Sequence, residues 1–232
     1  MNEIAIQYNF YRNDGGEESF TFLLDSNEIT LIGTESPPLP SWTELSFHQC
    51  PHCPLLPESC SHCPAALHLA PIVKKFEGLL SHDELLVEVI TDERKISQRT
   101  TAQRAIGSMM GLVISTSGCP YTTFFRPMAR FHLPLASEEE TIHRAASMYF
   151  LAQFFRHKHG EKIDIELKGL VEIYKNIEIL NRALAQRLRD ATRTDSSINA
   201  VIFLDMYAKA MPYIIKEALD ELEYLYKPYL KI

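Results

Sequence analysis

Four of the five cysteines in this chain are followed directly by proline: Cys50-Pro51, Cys53-Pro54, Cys63-Pro64 and Cys119-Pro120. Three of these pairs fall within one short stretch, where Cys50-Pro-His-Cys53 and Cys60-Ser-His-Cys63 are separated by six residues. Two sulfurs at Cys-x-x-Cys spacing can grip one ion, and a second pair completes a tetrahedron. Prolines at 51, 54, 57 and 64 stiffen the loop over residues 48–64 and lower the entropy lost when it orders around a centre. The expected cofactor is zinc or a [4Fe-4S] cluster, which spacing does not distinguish. A metal-free thiol switch is the simpler alternative.

Two ligand sets compete. The local one is Cys50, Cys53, Cys60 and Cys63, a zinc knuckle from a single loop. The other follows the Cys-Pro pattern through Cys50, Cys53, Cys63 and Cys119, leaving Cys60, which precedes Ser61, as the alternative fourth ligand. Cys-Pro recurs at iron–sulfur ligands, and proline fixes the chain direction just after the sulfur, which favours the second set. Under that set Cys119 ties two distant stretches together, so binding and folding are coupled. His48, His52 and His62 flank the cysteines and rank below the thiols as ligands.

The N-terminus lacks the basic start and apolar run of a signal peptide. No apolar stretch approaches the ~20 residues that span a bilayer; the longest, Ile106 to Ile114, contains Gly107, Ser108 and Gly111. The expectation is a cytoplasmic protein with no membrane contact, in which clustered thiols are ligands or redox groups rather than disulfides. A net charge of −7 argues against nucleic acid as a partner, as does a cysteine region whose only basic residues between Glu44 and His82 are Lys74 and Lys75.

The pattern along the chain predicts an α+β protein: a small N-terminal antiparallel sheet with a cysteine-rich loop, packed on a C-terminal helical bundle. Ile4, Ile6, Tyr8 and Phe10 alternate with polar residues, as do Phe20, Phe22 and Leu24, with Asn13-Asp14-Gly15-Gly16 as the turn. Ile29 to Ile32 gives a third strand, and Pro37-Pro38-Leu39-Pro40 then breaks regular structure. Pro64 opens a helix running to about Leu80, and Leu85, Val87 and Val89 form a strand with Ile96 in its hairpin partner. Thr100 or Thr101 caps a helix through Ile114. Ser137 and Glu140 make a capping box. Apolar stripes at Leu167, Leu170, Tyr174, Ile177, Leu184 and Leu188 mark one long helix. Another runs from Thr194 or Asp195 through Val201, Leu204, Ala208, Met211 and Ile215, with a kink expected at Pro212. The division is residues 1–98 for the β region and 99–232 for the helical region, as one continuous domain. The long C-terminal helices are available for homo-oligomerisation.

Between Arg94 and Ser137 there is no acid, while Arg94, Lys95, Arg99, Arg104, Arg126 and Arg130 supply six positive charges. Such a window suits a small anion, bound by Arg104, Arg126 and Arg130, or compensation of a tetrathiolate centre of charge about −2. If residues 125–134 are extended, Arg130 and His132 share a face, and His132 is the candidate catalytic acid/base titrating near neutrality. The competing account pairs these arginines with carboxylates of the helical half. Glu140-Thr-Ile-His143 fits a di-iron half-motif but has no second copy. No glycine-rich phosphate loop, His-Glu-x-x-His or nucleophile elbow occurs.

Two functions follow: a metal-binding protein whose centre is structural or regulatory, or a redox or metal-dependent enzyme acting on a small anion near Cys119, Arg126, Arg130 and His132.

Taken together, Phe47-His48-Gln49-Cys50-Pro51-His52-Cys53-Pro54-Leu55, Thr100-Thr101-Ala102-Gln103-Arg104, Thr116-Ser117-Gly118-Cys119-Pro120 and Arg126-Pro-Met-Ala-Arg-Phe-His-Leu-Pro-Leu135 resemble a bacterial family catalogued as a domain of unknown function. The resemblance spans most of the chain. It implies a bacterial cytosolic protein and carries no reaction and no catalytic residue with it.

Overall fold

Period-two patterning builds the sheet. Strands β1 (Glu3–Arg12) and β2 (Glu17–Asp25) pair antiparallel, with Tyr8 opposite Phe20 and Ile6 opposite Phe22. The computed structural model of the chain describes residues 3–33, 38–191 and 195–231, without the side chains at 214, 216 and 218. The expected Pro37 break and Thr194 cap lie outside the described residues.

Strand β3 is shorter than expected, Leu31–Ile32 alone, because Ile29 has a positive φ of 51° that no continuing strand adopts. Strands β4 (Glu84–Ile90) and β5 (Lys95–Thr101) form the second hairpin and complete a five-stranded antiparallel sheet ordered β3-β2-β1-β4-β5. The division expected at residue 98 falls inside β5. Ile6, Tyr8, Phe10, Leu85, Val87 and Val89 all point to one buried face. Polar Gln7, Asn9 and Ser19 lie on the other, where Ser19 Oγ donates to Asn9 Oδ1 at 2.7 Å.

Helix α1 (Pro64–Lys75) takes proline at its first position, where the missing N–H is not needed. It stops five residues before Leu80, and the chain turns at Gly78, whose φ of 90° suits glycine. Phe76, just after it, packs edge-on to Phe10 at 4.9 Å. Helix α2 (Ala102–Thr116) follows β5, with Thr101 in the N-cap position but without a side-chain capping bond. It is buried along most of its length against the sheet and the C-terminal helix that spans Asp195–Glu221. Residues Arg126–Arg130 form a short helix, α3, opened by Pro127 near its start, so the extended reading of that segment is corrected.

Helix α4 (Glu138–Lys158) begins with the expected capping box: Glu140 N–H donates to Ser137 Oγ at 3.1 Å, and Ser137 N–H to Glu140 Oε2 at 2.7 Å. Helices α5 (Lys168–Ala191) and α6 (Asp195–Glu221) pack along each other, and α6 continues through Pro212. One apolar core joins the sheet, α1 and α2 to Leu180, Leu184, Leu188 and Val201 of the helical half. A second lies among α4, α5 and α6, around Tyr149, Leu170 and Met211. The protein is α+β, with the cysteine loop held between the sheet region and α5.

Candidate metal-thiolate site

Local hydrogen bonds shape the cysteine loop. Cys53 N–H donates to Cys50 O at 3.0 Å, closing the first Cys-x-x-Cys turn. An antiparallel bridge between Glu44 and His62, with Cys63 N–H donating to Thr43 O at 2.8 Å, fixes the second pair. Cys63 is the N-cap residue of α1, at the helix end whose partial charge is positive. Cys119 arrives from elsewhere. Gly118, with φ of 88°, turns the chain after α2, and Thr122 secures the turn through Oγ1 to Ile114 O at 2.8 Å. Tyr121 then fastens it to the loop: its hydroxyl donates to His52 O at 2.7 Å, and its ring stacks on His52 at 4.0 Å.

The outcome is a small enclosed cavity lined by Cys50, Cys53, Cys63 and Cys119, with Leu180 and Arg187 of α5 closing it. About 20 Å³ is open to the centre of a water-sized sphere, room for one atom. Cys60 does not line it; its thiol donates to His62 O at 3.1 Å. All five thiols are free. Among the described residues, no three histidine, cysteine, aspartate or glutamate side chains are already drawn together as ligands of one ion. The flanking histidines have other partners: His48 Nε2 with Asp190 at 2.5 Å, His52 Nε2 with Asn176 O at 3.2 Å, and His62 Nδ1 with Thr43 Oγ1 at 2.9 Å.

Burial, then the neighbouring thiols Cys63, Cys119 and Cys53, pushes the Cys50 thiol up to about 12. Burial pushes Cys119 up to about 11. Uncompensated, both sulfurs are protonated at neutral pH.

Arg187 is the residue that sequence reasoning missed. It is 1% exposed, yet it carries a guanidinium whose Nη1 donates to Trp42 O at 2.8 Å and Glu44 O at 2.7 Å. Its Nη2 donates to Leu45 O at 2.9 Å. All three partners are neutral carbonyls, and no carboxylate pairs with it among the described residues. Burial pushes its pKa down, and the neighbouring Cys63, Cys50 and Cys53 sulfurs act against that shift. The signal was present in the sequence: Arg187 sits three residues after Leu184 and seven after Leu180, a cation on the apolar stripe of α5.

The arginines expected to compensate the centre lie elsewhere, because α2 and α3 direct them away from the cysteine loop. Arg104 lines a different, larger cavity. Arg126 approaches Glu28, in the turn between β2 and β3, at 3.8 Å, and Arg130 lies over the Phe131 ring at 5.3 Å. His132 lies apart from the thiols, in the wall of that larger cavity. Its Nε2 lies 2.6 Å from the Tyr8 hydroxyl, and although a margin of the residue reaches solvent, burial and then the Arg144 charge push it down to about 3, which favours the neutral ring. Cys119, Arg126, Arg130 and His132 line no common cavity among the described residues.

Fold and site thus define an α+β protein with four thiols gathered over a buried arginine. The chain matches the family described as Domain of unknown function (DUF6901) over residues 6–227, and it belongs to that family. No curated protein and no solved structure matches it. Among the described residues no helix is long and apolar enough to cross a membrane.

Proposed function

We propose that this is a metal-binding protein in which Cys50, Cys53, Cys63 and Cys119 hold zinc or a [4Fe-4S] cluster as a structural or regulatory centre. The observation that carries the reading is the charge of Arg187. A guanidinium buried among neutral carbonyls, with no carboxylate beside it, is costly unless a counter-charge lies near. Four protonated thiols do not supply one. A tetrathiolate around zinc or an oxidised four-iron cluster carries about −2 and does. The cation competes with protons for the sulfurs, which offsets the burial that raises Cys50 and Cys119.

The narrow space favours a single ion, whereas the Cys-Pro pattern favours the cluster. Four protein thiolates leave no open position for substrate, which suits a structural or regulatory role. Self-association through the C-terminal helices belongs to the same proposal: α4 leaves Phe150, Leu151, Phe154 and Phe155 exposed, and sedimentation velocity measures whether copies associate.

Oxygen-free purification of the full chain followed by elemental analysis tests the centre. Stoichiometric zinc in a colourless protein, or about four irons with absorbance near ~400 nm, supports it. A folded protein with neither metal overturns it. Cys119→Ser is expected to lose the metal and about 10 °C of thermal midpoint, equivalent to roughly 3 kcal/mol at this chain length. Cys60→Ser is expected to keep both. Equal metal content in Cys119→Ser and the parent removes Cys119 from the quartet.

A further inference from the structure

The larger cavity lies among α2, α3, α4, α5 and α6 in the helical half and opens to solvent. About 230 Å³ is open within it, and its walls are mostly apolar, including Leu112, Phe125, Met128 and Leu204. Two glycines of α2, Gly107 and Gly111, keep the wall opposite α6 low. A single water needs only about 10–15 Å³ on the same measure, so the space is large enough for a small organic molecule.

The polar groups in this wall fall into two kinds. Ser108, His132 and Tyr8 behind them bond one another: Ser108 Oγ lies 3.1 Å from the Tyr8 hydroxyl and accepts from Leu135 N–H at 3.0 Å. Ser115, Thr122 and Thr141 likewise spend their hydroxyls on backbone carbonyls, whereas two arginines and one amide have donors to spare. Arg104 has no hydrogen bond or ion pair among the described residues. Arg144 uses Nη2 on Met128 O and Phe131 O, at 2.9 and 3.0 Å. Asn181 is 2% exposed, lines the cavity, and its Nδ2 has no hydrogen-bond partner among the described residues. Among the described residues, no aspartate or glutamate lines the space. Glu140 acts on Arg144, and Glu138 on Tyr207, only from outside it.

An apolar chamber with two guanidiniums, a buried unpaired amide donor and no acid is complementary to a molecule with an apolar body and an anionic head. We propose that this cavity binds a small amphipathic carboxylate, its chain against α2 and α6 and its head on Arg104, Arg144 and the Asn181 amide. A buried donor without an acceptor is destabilising, and an acceptor brought by a ligand relieves that cost. The site is separate from the thiolate centre, so the inference stands whether or not a metal is bound.

Titration calorimetry on the purified full chain tests it, with octanoate as probe and octanol as the uncharged match. Octanoate is expected to saturate one site and to bind at least about tenfold more tightly than octanol, as expected for a charge-assisted contact. Arg104→Gln, which breaks no hydrogen bond or ion pair among the described residues, is expected to erase that preference while leaving octanol affinity unchanged. Asn181→Leu is expected to weaken octanoate several-fold. Absence of saturable octanoate binding overturns the proposal. So does equal affinity for octanol, which makes the cavity merely apolar, and so does an unaltered octanoate affinity in Arg104→Gln.

Discussion

The cysteine-lined cavity and the apolar cavity share a wall. The turn from Cys119 to Thr122 gives Cys119 and Tyr121 to the first and Thr122 to the second, and α5 gives them Leu180 and Asn181 in succession. Yet their cations are held in opposite ways. Arg187 spends its donors on three carbonyls of the polypeptide and is fixed before anything binds. Arg104 spends none among the described residues. A fixed buried charge sets the electrostatics of a permanent occupant, whereas an unspent one is available to a ligand that comes and goes. The same helical scaffold can therefore support a closed inorganic centre and an open organic site a few residues apart.

The largest test of that contrast is Arg187→Met. The methionine fills much of the volume but removes the Arg187 bonds from the carbonyls of Trp42 and Leu45, while Glu44 O keeps the Phe47 N–H, at a cost on the order of 3–5 kcal/mol. Urea unfolding of the variant measures this, and metal content is expected to fall with stability. A loss below about 1 kcal/mol means that Arg187 is not the fixed cation described, and the comparison with Arg104 fails.

A second test uses pH and concerns the wall of the larger cavity. His132 titrates near 6.5 in the unfolded chain, whereas burial and Arg144 push it down to about 3 in the folded protein. The unfolded state therefore binds more protons between these values. The neutral ring's contribution is complete above about pH 6.5 and is lost progressively as pH falls toward 3. From pH 6.5 to 5 the fall is about 1.5 kcal/mol, before most carboxylates titrate. His132→Gln is expected to flatten the stability–pH curve in that interval. An unchanged slope shows that the ring is solvated, and then the cavity wall is looser than the Tyr8 contact implies.

The fold was legible where one local signal sufficed. Alternation at Ile4 to Phe10 marked β1, Pro64 marked the start of α1, and Ser137 with Glu140 marked α4. The Cys-Pro pattern also separated Cys60 from the four cysteines that line one cavity, although Cys119 lies far along the chain. Other features were set by tertiary context. The segment 126–130 is too short for periodicity to distinguish helix from strand, and it folds as a helix. A count of basic residues pointed to Arg104, Arg126 and Arg130 as partners of the thiols, but charge along a chain says nothing of side-chain direction. Arg187 was visible as a misfit on the α5 stripe, and such a misfit is a stronger pointer to a buried centre than an acid-free window.

The smallest expected effect discriminates most finely between the two cavities. Asn181 is nearly isosteric with leucine, and its Nδ2 lacks a partner among the described residues. Replacing an unsatisfied buried donor by an apolar group of similar shape removes a desolvation cost, so Asn181→Leu is expected to stabilise the ligand-free protein by about 1 kcal/mol. The neighbouring change on the other face of α5, Leu180→Ala, has no such donor to remove and is expected to destabilise by about 2–5 kcal/mol. Opposite signs at adjacent residues distinguish a wall packed around the thiols from a wall that holds a donor in reserve. Thermal unfolding without added carboxylate reads both. If Asn181→Leu destabilises as well, its amide has a partner in solution, and the reserve attributed to the larger cavity disappears.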